Sequence, residues 1–377
     1  MKIPFNKPFY DQNFFKYCNL NNIKNFSSDG KYTKLTQNYF EKKYSINKFL
    51  LTTSCTSALE MSALLLDIKN GDEVIIPSYT FSSTANAFML RGAKIRFIDS
   101  KKDNPNLDPK KIEELITKKT KCIVIMHYAG IPCDMNEIIN ICKKNNIKIV
   151  EDAAQCLHSS YKGKALGTFG DLGCISFHET KNISSGEGGG LFINKNKYLK
   201  RAIYIRDKGT NRIDLVSGKI DKYGWVDIGS SYAPSDLIAK LLYFQKDHIN
   251  EITKKRKNIW LYYYENFKVL ESRGLIKLPS FDSFSDFNGH IFYILCNSVK
   301  QKNNFLRFLD KKNITATTHY QSLHNSKFFK SLHDGRNLYN SENFSKNLIR
   351  LPLYHQMTIK EKEYIVKNIF SFFNNGI

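Results

Sequence analysis

Short apolar runs alternate with helical patterns through the first two-thirds of this 377-residue chain, and this alternation limits the possible folds most. Six strand-like runs lie at residues 73–76, 94–99, 122–126, 147–152, 174–177 and 190–193. Helical patterns lie between some of them, as at 110–116 and 135–144. Strands that alternate with helices predict a mostly parallel sheet with helices packed on its faces.

The character of the sequence changes near residue 244. Residues 247–267 form a long charged and aromatic helical pattern without glycine or proline, which suits a bridge between two domains. Beyond it, a strand-like run at 291–295 and a final helical pattern after Leu351-Pro352-Leu353 are typical of a smaller α+β domain. The sequence therefore predicts an α/β fold with a large domain over 1–244 and a small domain over 245–377.

The chain is strongly basic, with 57 Lys and Arg residues against 35 Asp and Glu and a formal net charge of +22. Such a charge could indicate a nucleic-acid surface or attraction of anionic substrates. The lysines are scattered along the whole chain, however, and no zinc-finger spacing, basic zipper or RNA-binding aromatic motif occurs. We therefore expect no nucleic-acid partner, and a DNA-binding regulator stays open only as a remote alternative.

Cysteines are few for this length and form no Cys-x-x-Cys pair. They stand at positions 18, 55, 122, 133, 142, 156, 174 and 296. Several lie in apolar runs, so we expect reduced thiols and no metal site. The first residues lack the apolar stretch of a signal peptide, and no run has the length of a membrane span. The sequence thus predicts a cytoplasmic protein without a membrane partner.

One lysine stands in a setting unlike that of the others. Lys181 follows the apolar run at 174–177 and precedes the turn Ser184-Ser185-Gly186-Glu187-Gly188-Gly189-Gly190. Most lysines in a chain this basic are solvated, but these glycines would let the backbone approach a ligand. Asp152 ends another strand-like run, and ligands of open α/β sheets bind outside the carboxyl ends of strands. We therefore expect Lys181 and Asp152 on the same rim of the sheet.

An amine and an acid on one rim meet the needs of pyridoxal phosphate (PLP) chemistry. The lysine would form a Schiff base with the cofactor aldehyde, and the acid would keep the pyridine nitrogen protonated. The cofactor phosphate also needs a site, and residues 49–60 offer hydroxyl groups where a turn enters a helix. Ser57 and Glu60 have capping-box spacing, so simple capping is the alternative interpretation. Ser176 would add a further hydroxyl.

Two more residues follow strands at the same rim. Phe81 comes after the run that ends at Pro77 and could stack on the pyridine ring, with core packing as the other possibility. His127 follows the run at 122–126. A position near the cofactor and a structural hydrogen-bonding role are equally compatible with that placement.

Together these segments resemble the PLP-dependent sugar-nucleotide aminotransferases of the DegT/StrS type over nearly the whole chain. The motifs that carry the resemblance are residues 54–59, 77–81, 127–130, 151–155, the Lys181 motif with Gly186-Glu187-Gly188-Gly189, residues 206–212 and Leu351-Pro352-Leu353. The resemblance implies the aspartate-aminotransferase-like fold (PLP fold type I). It also implies a homodimer whose active sites are shared between subunits.

The resemblance assigns roles to particular residues. Lys181 is the Schiff-base lysine, and Asp152 is the partner of the pyridine nitrogen. Gln155 lies beside the phenolate oxygen of the cofactor, and Phe81 stacks on its ring.

The resemblance also names a phosphate site, formed by Cys55, Thr56 and Ser176. At the position of Ser231, many relatives have an asparagine that reaches the phosphate from the neighbouring subunit. A serine donates a hydrogen bond with less reach, and the group described next shares the serine.

Residues 208–212, 221–225 and 227–232 are similar to one group of this family, the dTDP-4-amino-4,6-dideoxygalactose transaminases. That similarity implies dTDP-4-keto-6-deoxyglucose and L-glutamate as substrates, for the synthesis of surface polysaccharide sugars. Arg212, His319 and Tyr320 are candidates for contact with the nucleotide or the sugar. A dehydratase of the same fold has histidine in place of this lysine, so Lys181 argues against it. Another keto sugar nucleotide, or a racemase or lyase that uses PLP, stays open.

Overall fold

The computed structural model describes residues 1–9 and 26–374. The helices in this part, in chain order, are α1 Lys31–Tyr44, α2 Cys55–Leu65, α3 Ser82–Met89, α4 Met135–Lys144, α5 Leu199–Arg206, α6 Arg212–Val216, α7 Asp236–Gln245, α8 Ile249–Ser272, α9 Val299–Lys311, α10 Tyr339–Asn347 and α11 Ile359–Asn374. The strands are β1 Lys48–Thr52, β2 Glu73–Pro77, β3 Lys94–Ile98, β4 Thr120–Met126, β5 Lys148–Asp152, β6 Ser160–Tyr161, β7 Lys164–Ala165, β8 Leu172–Ser176, β9 Gly189–Ile193, β10 Ile276–Lys277, β11 Ser285–Asp286, β12 Tyr293–Cys296 and β13 Leu348–Arg350.

A seven-stranded sheet in the order β1-β9-β8-β5-β4-β2-β3 forms the centre of the molecule. Strands β3, β2, β4, β5 and β8 pair in parallel, whereas β9 is antiparallel to both of its neighbours. The predicted mostly parallel α/β sheet is therefore confirmed, and all six predicted runs are strands in it. The seventh strand, β1, occupies residues that the sequence presented as a turn entering a helix.

Both faces of this sheet are buried, which explains why its strands are almost wholly apolar. Cys122 and Val124 of β4 pack on one side with apolar residues of α2, α3 and α5. Ile123 and Ile125 of the same strand pack on the other side with residues of α4. Side chains alternate between the faces because successive residues of a strand point in opposite directions.

The helical pattern predicted at 110–116 folds instead as two 3₁₀ turns, Pro109–Lys111 and Glu113–Leu115. Asp108 caps the first turn by accepting a hydrogen bond from the amide of Lys110 at 3.1 Å. So short a segment gains little from α-helical geometry, and 3₁₀ turns are common in connections of this length.

The C-terminal part contains the long helix α8 and an antiparallel sheet in the order β10-β12-β13. Its core packs Trp260 and Phe267 of α8 against Phe292, and it extends to Tyr79 and Tyr128 from the first part of the chain. Aromatic residues thus join the two parts next to the carboxyl ends of β2 and β4. The division at residues 244 and 245 stays a prediction.

The seven cysteines within the described residues are free thiols, and Cys18 lies outside those residues. Between residues 26 and 374, as in the first nine residues, no helix has the length and apolar character to cross a membrane.

Candidate active site

Lys181 lies in a tight turn that follows β8. Its amide donates a hydrogen bond to the carbonyl of His178 at 2.9 Å, and the side chain enters a large cavity at the carboxyl ends of the parallel strands. Burial lowers the pKa of Lys181, although the charge of Asp152 opposes that effect. A larger share of this amine is therefore neutral and nucleophilic than for a solvated lysine.

Asp152 is the last residue of β5 and faces the same cavity. Its carboxylate accepts hydrogen bonds from the Thr84 hydroxyl at 2.7 Å and from the Ala154 amide at 3.2 Å. Burial raises the pKa of Asp152, while these two donors and the charge of Lys181 lower it. The hydrogen bonds therefore oppose the effect of burial and favour the ionised form of this acid.

The preceding residue, Glu151, points to the opposite face of β5 and has a different environment. Its buried carboxylate accepts hydrogen bonds from the amides of Gly167, Phe169 and Gly170 at 2.8, 2.7 and 2.7 Å. It also lies 3.2 Å from Nε2 of His127. This carboxylate fixes the chain segment that leads into β8.

His127 belongs to this buried network, and it is not among the residues that line the cavity. Its Nδ1 accepts a hydrogen bond from the amide of Cys133 at 3.1 Å, so Nε2 carries the proton and donates to Glu151. Of the two interpretations that the sequence allowed, the structural hydrogen-bonding role fits this geometry.

The first turn of α2 forms one end of the cavity. Ser54 is the N-cap, because its hydroxyl accepts a hydrogen bond from the Ser57 amide at 3.0 Å. The capping box predicted from Ser57 and Glu60 is therefore wrong, since the helix begins at Cys55. The amides of Cys55 and Thr56 occupy the first two helical positions, which have no partner within a helix.

A second helix begins beside the first. Ser83 of α3 accepts a hydrogen bond from the Thr56 hydroxyl at 2.8 Å, and both residues line the cavity. Two helix N-termini with their hydroxyl groups thus open toward one place, which favours a bound anion such as a phosphate group.

Close contact between two main-chain segments shapes the end of the cavity that α2 forms. A side chain at Gly189 of β9 would overlap the carbonyl carbon of Ser54 and the amide nitrogen of Cys55. The glycine therefore allows β9 to pack directly beneath the start of α2.

The cavity has a volume of about 890 Å³, and seven of the eight predicted site residues line it. These seven are Cys55, Thr56, Phe81, Asp152, Gln155, Ser176 and Lys181. An amine, a hydrogen-bonded acid and an anion-binding helix end therefore surround one space. That arrangement fits the groups of pyridoxal phosphate, and the individual roles of the seven residues stay predictions.

Ser231 is the eighth predicted residue, and it is exposed outside the cavity. It forms a bridge with Asp207. In its predicted role, Ser231 reaches the cofactor phosphate in the neighbouring subunit. That role stays a prediction.

Gln155 and Phe81 meet residues from the C-terminal part of the chain. The Gln155 side chain accepts from the amide of Ala129 at 2.6 Å and donates to the hydroxyl of Tyr320 at 3.0 Å. The Phe81 ring is 57% exposed and lies 6.1 Å from the ring of Tyr320. Because Phe81 is not buried in the core, it is free to contact a ligand.

Of the three residues suggested for substrate contact, His319 and Tyr320 line the cavity, whereas Arg212 is not among its lining residues. The guanidinium of Arg212 is paired with Asp207 at 2.6 Å. The His319 ring lies 3.0 Å from the Tyr128 hydroxyl, and burial lowers the pKa of His319. This imidazole is therefore neutral.

Three residues in or next to the cavity carry no strong sequence signal. Thr84, which donates to Asp152, lies within α3 and looks like an ordinary helical threonine. His290 donates from Nδ1 to Asn182 at 3.0 Å, and burial lowers its pKa. Arg350 immediately precedes Leu351-Pro352-Leu353, and that motif is the one signal that could have drawn attention to it.

Comparison with known proteins assigns the family. The sequence pattern of the DegT/DnrJ/EryC1/StrS aminotransferase family matches residues 11–370. A UDP-4-amino-4,6-dideoxy-N-acetyl-beta-L-altrosamine transaminase of Campylobacter jejuni is 30% identical over 323 residues, which cover 84% of this chain and 83% of that protein. The GDP-perosamine synthase of Escherichia coli O157:H7 is 27% identical over 93% of this chain and 92% of its own length.

A solved structure shows the same fold. Spr1654 of Streptococcus pneumoniae, assigned as a sugar aminotransferase and determined in its PLP form, superposes with a TM-score of 0.91. It is 24% identical, and the match covers 100% of both chains. The predicted PLP fold type I architecture is confirmed by this likeness.

Proposed function

This chain belongs to the DegT/DnrJ/EryC1/StrS aminotransferase family and is a PLP-dependent sugar-nucleotide aminotransferase, and from this premise we propose its substrates. The donor is L-glutamate, and the acceptor is the 4-keto carbon of a nucleotide-linked 6-deoxy-hexose. The specific reaction converts dTDP-4-keto-6-deoxyglucose to dTDP-4-amino-4,6-dideoxygalactose, a building block for surface polysaccharide.

The observation that carries this proposal is the meeting of Lys181 and Asp152 in one cavity beside the start of α2. When bound, PLP supplies an electron sink for the carbon that carries the amine. Lys181 Nζ, whose pKa burial lowers, removes the proton from the α-carbon of the donor. In the second half of the reaction, the same Nζ returns a proton to C4 of the sugar.

The other residues bind and orient. Asp152, which accepts hydrogen bonds from Thr84 and the Ala154 amide, would hold the proton of the pyridine nitrogen. Cys55, Thr56 and Ser176 anchor the phosphate. Burial raises the pKa of the Cys55 thiol, so this residue approaches the phosphate uncharged and adds no repulsion.

Two considerations support the choice of sugar. The motifs over 208–212, 221–225 and 227–232 are similar to the dTDP-4-amino-4,6-dideoxygalactose transaminases. The relative in Campylobacter jejuni is named for a sugar with the same 4-amino-4,6-dideoxy pattern. The two relatives are named for UDP and GDP sugars, so the nucleotide needs a direct test.

We also propose a homodimer with shared sites. Large apolar side chains are exposed around the segment that leads to Ser231, including Val216 at 70% and Trp225 at 83%. Apolar residues grouped in this way are typical of surfaces that a partner covers. A second copy seated there would bring its Ser231 toward the phosphate, and sedimentation of the PLP-loaded protein measures the assembly.

The test of the reaction separates its two halves. L-glutamate should convert the PLP-loaded enzyme to the pyridoxamine form, with loss of the visible absorbance of the cofactor. Adding dTDP-4-keto-6-deoxyglucose should restore that absorbance and yield an amino sugar. The UDP-linked sugar, tested in parallel, reports on the nucleotide.

The outcomes distinguish the proposals. Bleaching by glutamate without recovery on any dTDP sugar would leave the aminotransferase and remove the proposed acceptor. The Lys181→Ala variant should keep its fold by circular dichroism and lose turnover. Full activity in that variant would contradict the role of Lys181.

A further inference from the structure

We propose that Arg350 binds the α-carboxylate of the amino donor and that Phe5 holds the Arg350 guanidinium in position. This inference rests on the proposed donor half of the reaction. The structural feature behind it is an arginine side chain that enters the active-site cavity without a counter-ion among residues 1–9 and 26–374.

Arg350 ends strand β13, and its main chain is well fixed. Its amide and carbonyl exchange hydrogen bonds with Thr317 at 2.7 and 3.1 Å, and it pairs with Tyr293 across the sheet. The side chain lines the same cavity as Lys181 and Asp152. A cation is thus carried into the site on a rigid element.

The guanidinium lacks an acidic partner in the part of the chain that the structure describes. Across residues 1–9 and 26–374, no carboxylate forms an ion pair with Arg350, and its buried Nε has no hydrogen-bond partner. By contrast, Arg201, Arg206, Arg212 and Arg336 each pair with an aspartate.

A partly buried cation without an acidic partner is unfavourable unless a ligand completes it. Burial lowers the pKa of Arg350, while Tyr128, Tyr320 and Tyr79 oppose that effect. These residues offer hydroxyl groups but no negative charge. Because arginine recognises carboxylates through two parallel hydrogen bonds, a bound carboxylate would supply the missing acceptors.

Four anionic groups enter this cavity during the proposed reaction, and the geometry favours one. The γ-carboxylate of glutamate lies two methylene groups away from the reacting carbon. The cofactor phosphate is served by the starts of α2 and α3. The diphosphate of the sugar nucleotide is attached to C1, across the pyranose ring from the C4 that must reach Lys181. The α-carboxylate, however, is bonded directly to the carbon whose proton Lys181 removes. A cation near Lys181 is therefore placed for the α-carboxylate.

Phe5 restricts the arginine from one side. Its ring centre lies 4.6 Å from the guanidinium carbon, and the ring also lines the cavity. The segment around it is tied down, because the Phe5 carbonyl accepts from Leu353 at 3.3 Å and Ile3 forms a bridge with Ile314. With one face of the guanidinium covered, its N–H edge is left for a carboxylate.

The test measures the glutamate half-reaction in PLP-loaded enzyme. Arg350→Gln should raise the glutamate concentration for half-maximal rate roughly 10- to 100-fold, the range for hydrogen bonds to a charged group. Its limiting rate should change far less, because the contact exists before and during proton transfer. Arg350→Lys should have a half-saturating glutamate concentration between those of the wild type and Arg350→Gln. Arg307→Gln, an exposed residue of α9, removes the same charge and serves as control.

Donor analogues locate the carboxylate. Alanine keeps the α-carboxylate and lacks the distal one, whereas 4-aminobutyrate lacks the α-carboxylate. Arg350→Gln should raise the half-saturating concentrations of glutamate and alanine by the same factor. It should leave the slow reaction of 4-aminobutyrate unchanged. Calorimetric binding of 2-oxoglutarate to the PLP-loaded protein, which needs no turnover, should weaken by a similar factor.

Several results would overturn the inference. A loss of rate with glutamate and 4-aminobutyrate, but not with alanine, would place Arg350 at the distal carboxylate. A normal glutamate reaction with a slowed sugar reaction would assign the arginine to the nucleotide. If wild-type enzyme fails to react with glutamate, the proposed function falls instead. A normal sugar half-reaction in Arg350→Gln loaded with pyridoxamine phosphate would show that this variant is folded.

Phe5→Leu tests the positioning role. It should raise the half-saturating concentration of glutamate by a smaller factor, leave the limiting rate unchanged and have no effect when Arg350 is already glutamine. Equal effects of Phe5→Leu in both backgrounds would show that the ring acts independently of the arginine.

Discussion

Replacing Thr84 by valine removes the hydroxyl that donates to Asp152 and keeps nearly the same side-chain shape. The Thr84 Oγ1 to Asp152 Oδ2 distance is 2.7 Å, and the hydroxyl also lies 2.9 Å from that of Thr80. Because Thr84 donates to the carboxylate, Thr80 must donate to Thr84. The substitution therefore breaks a short relay of hydrogen bonds that ends at the acid.

The size of the effect follows from this geometry. A hydrogen bond to a charged group contributes about 1.5–3 kcal/mol, and one pKa unit corresponds to about 1.4 kcal/mol. Losing the Thr84 donor should therefore raise the pKa of Asp152 by about 1–2 units, in the same direction as its burial. If activity needs the ionised acid, the rate declines as the pH falls through this pKa. The acid limb of the profile should then move to higher pH by that amount.

The assay is the pH dependence of the glutamate half-reaction at saturating cofactor. Thr36→Val is the matched control, because its buried hydroxyl donates to the carbonyl of Ala239 at 3.2 Å, in a contact between α1 and α7. It should lower stability without moving the acid limb. An unshifted acid limb in folded Thr84→Val would refute the link between this hydrogen bond and the ionisation that limits the rate.

Two further substitutions test other parts of the site. Glu151→Gln should destabilise the protein by about 3–5 kcal/mol in urea unfolding, since an amide would face main-chain donors. The exposed Glu265→Gln should change stability little, and equal losses in both would contradict the argument. Gly189→Ala should weaken PLP binding at least roughly tenfold, because the new methyl group displaces the start of α2. Titration of the cofactor-free protein with PLP measures this affinity. An unchanged affinity would show that the phosphate site tolerates a shift of the start of α2.

Much of the fold, and the placement of Lys181 and Asp152 at one rim, could be predicted from the sequence. The apolar runs identify buried strands, and Lys181 and Asp152 follow or end two of them, so a general rule about strand ends places both at one rim. The rule succeeds because a parallel sheet forces all its carboxyl ends to one side.

Other features depend on contacts that are distant in the chain. The strand Lys48–Thr52 is defined by pairing with β9, so its own apolar run could not distinguish it from a turn entering a helix. The Thr84 contact joins residues 68 positions apart, and no local pattern marks it. Arg350 lies in a strand of ordinary composition, and only the folded chain shows that no carboxylate of the described residues pairs with its guanidinium.

Glu151 and Asp152 are adjacent in the chain, yet the central sheet stands between their environments. One carboxylate ties main-chain loops together beneath the sheet, while the other faces the cavity above it. The pKa of Asp152 can therefore change without disturbing the main-chain loops that Glu151 holds. The same arrangement makes β5 intolerant of a shift in register. Deleting one residue upstream within this strand would turn both carboxylates to the wrong side, abolishing anchorage and chemistry together.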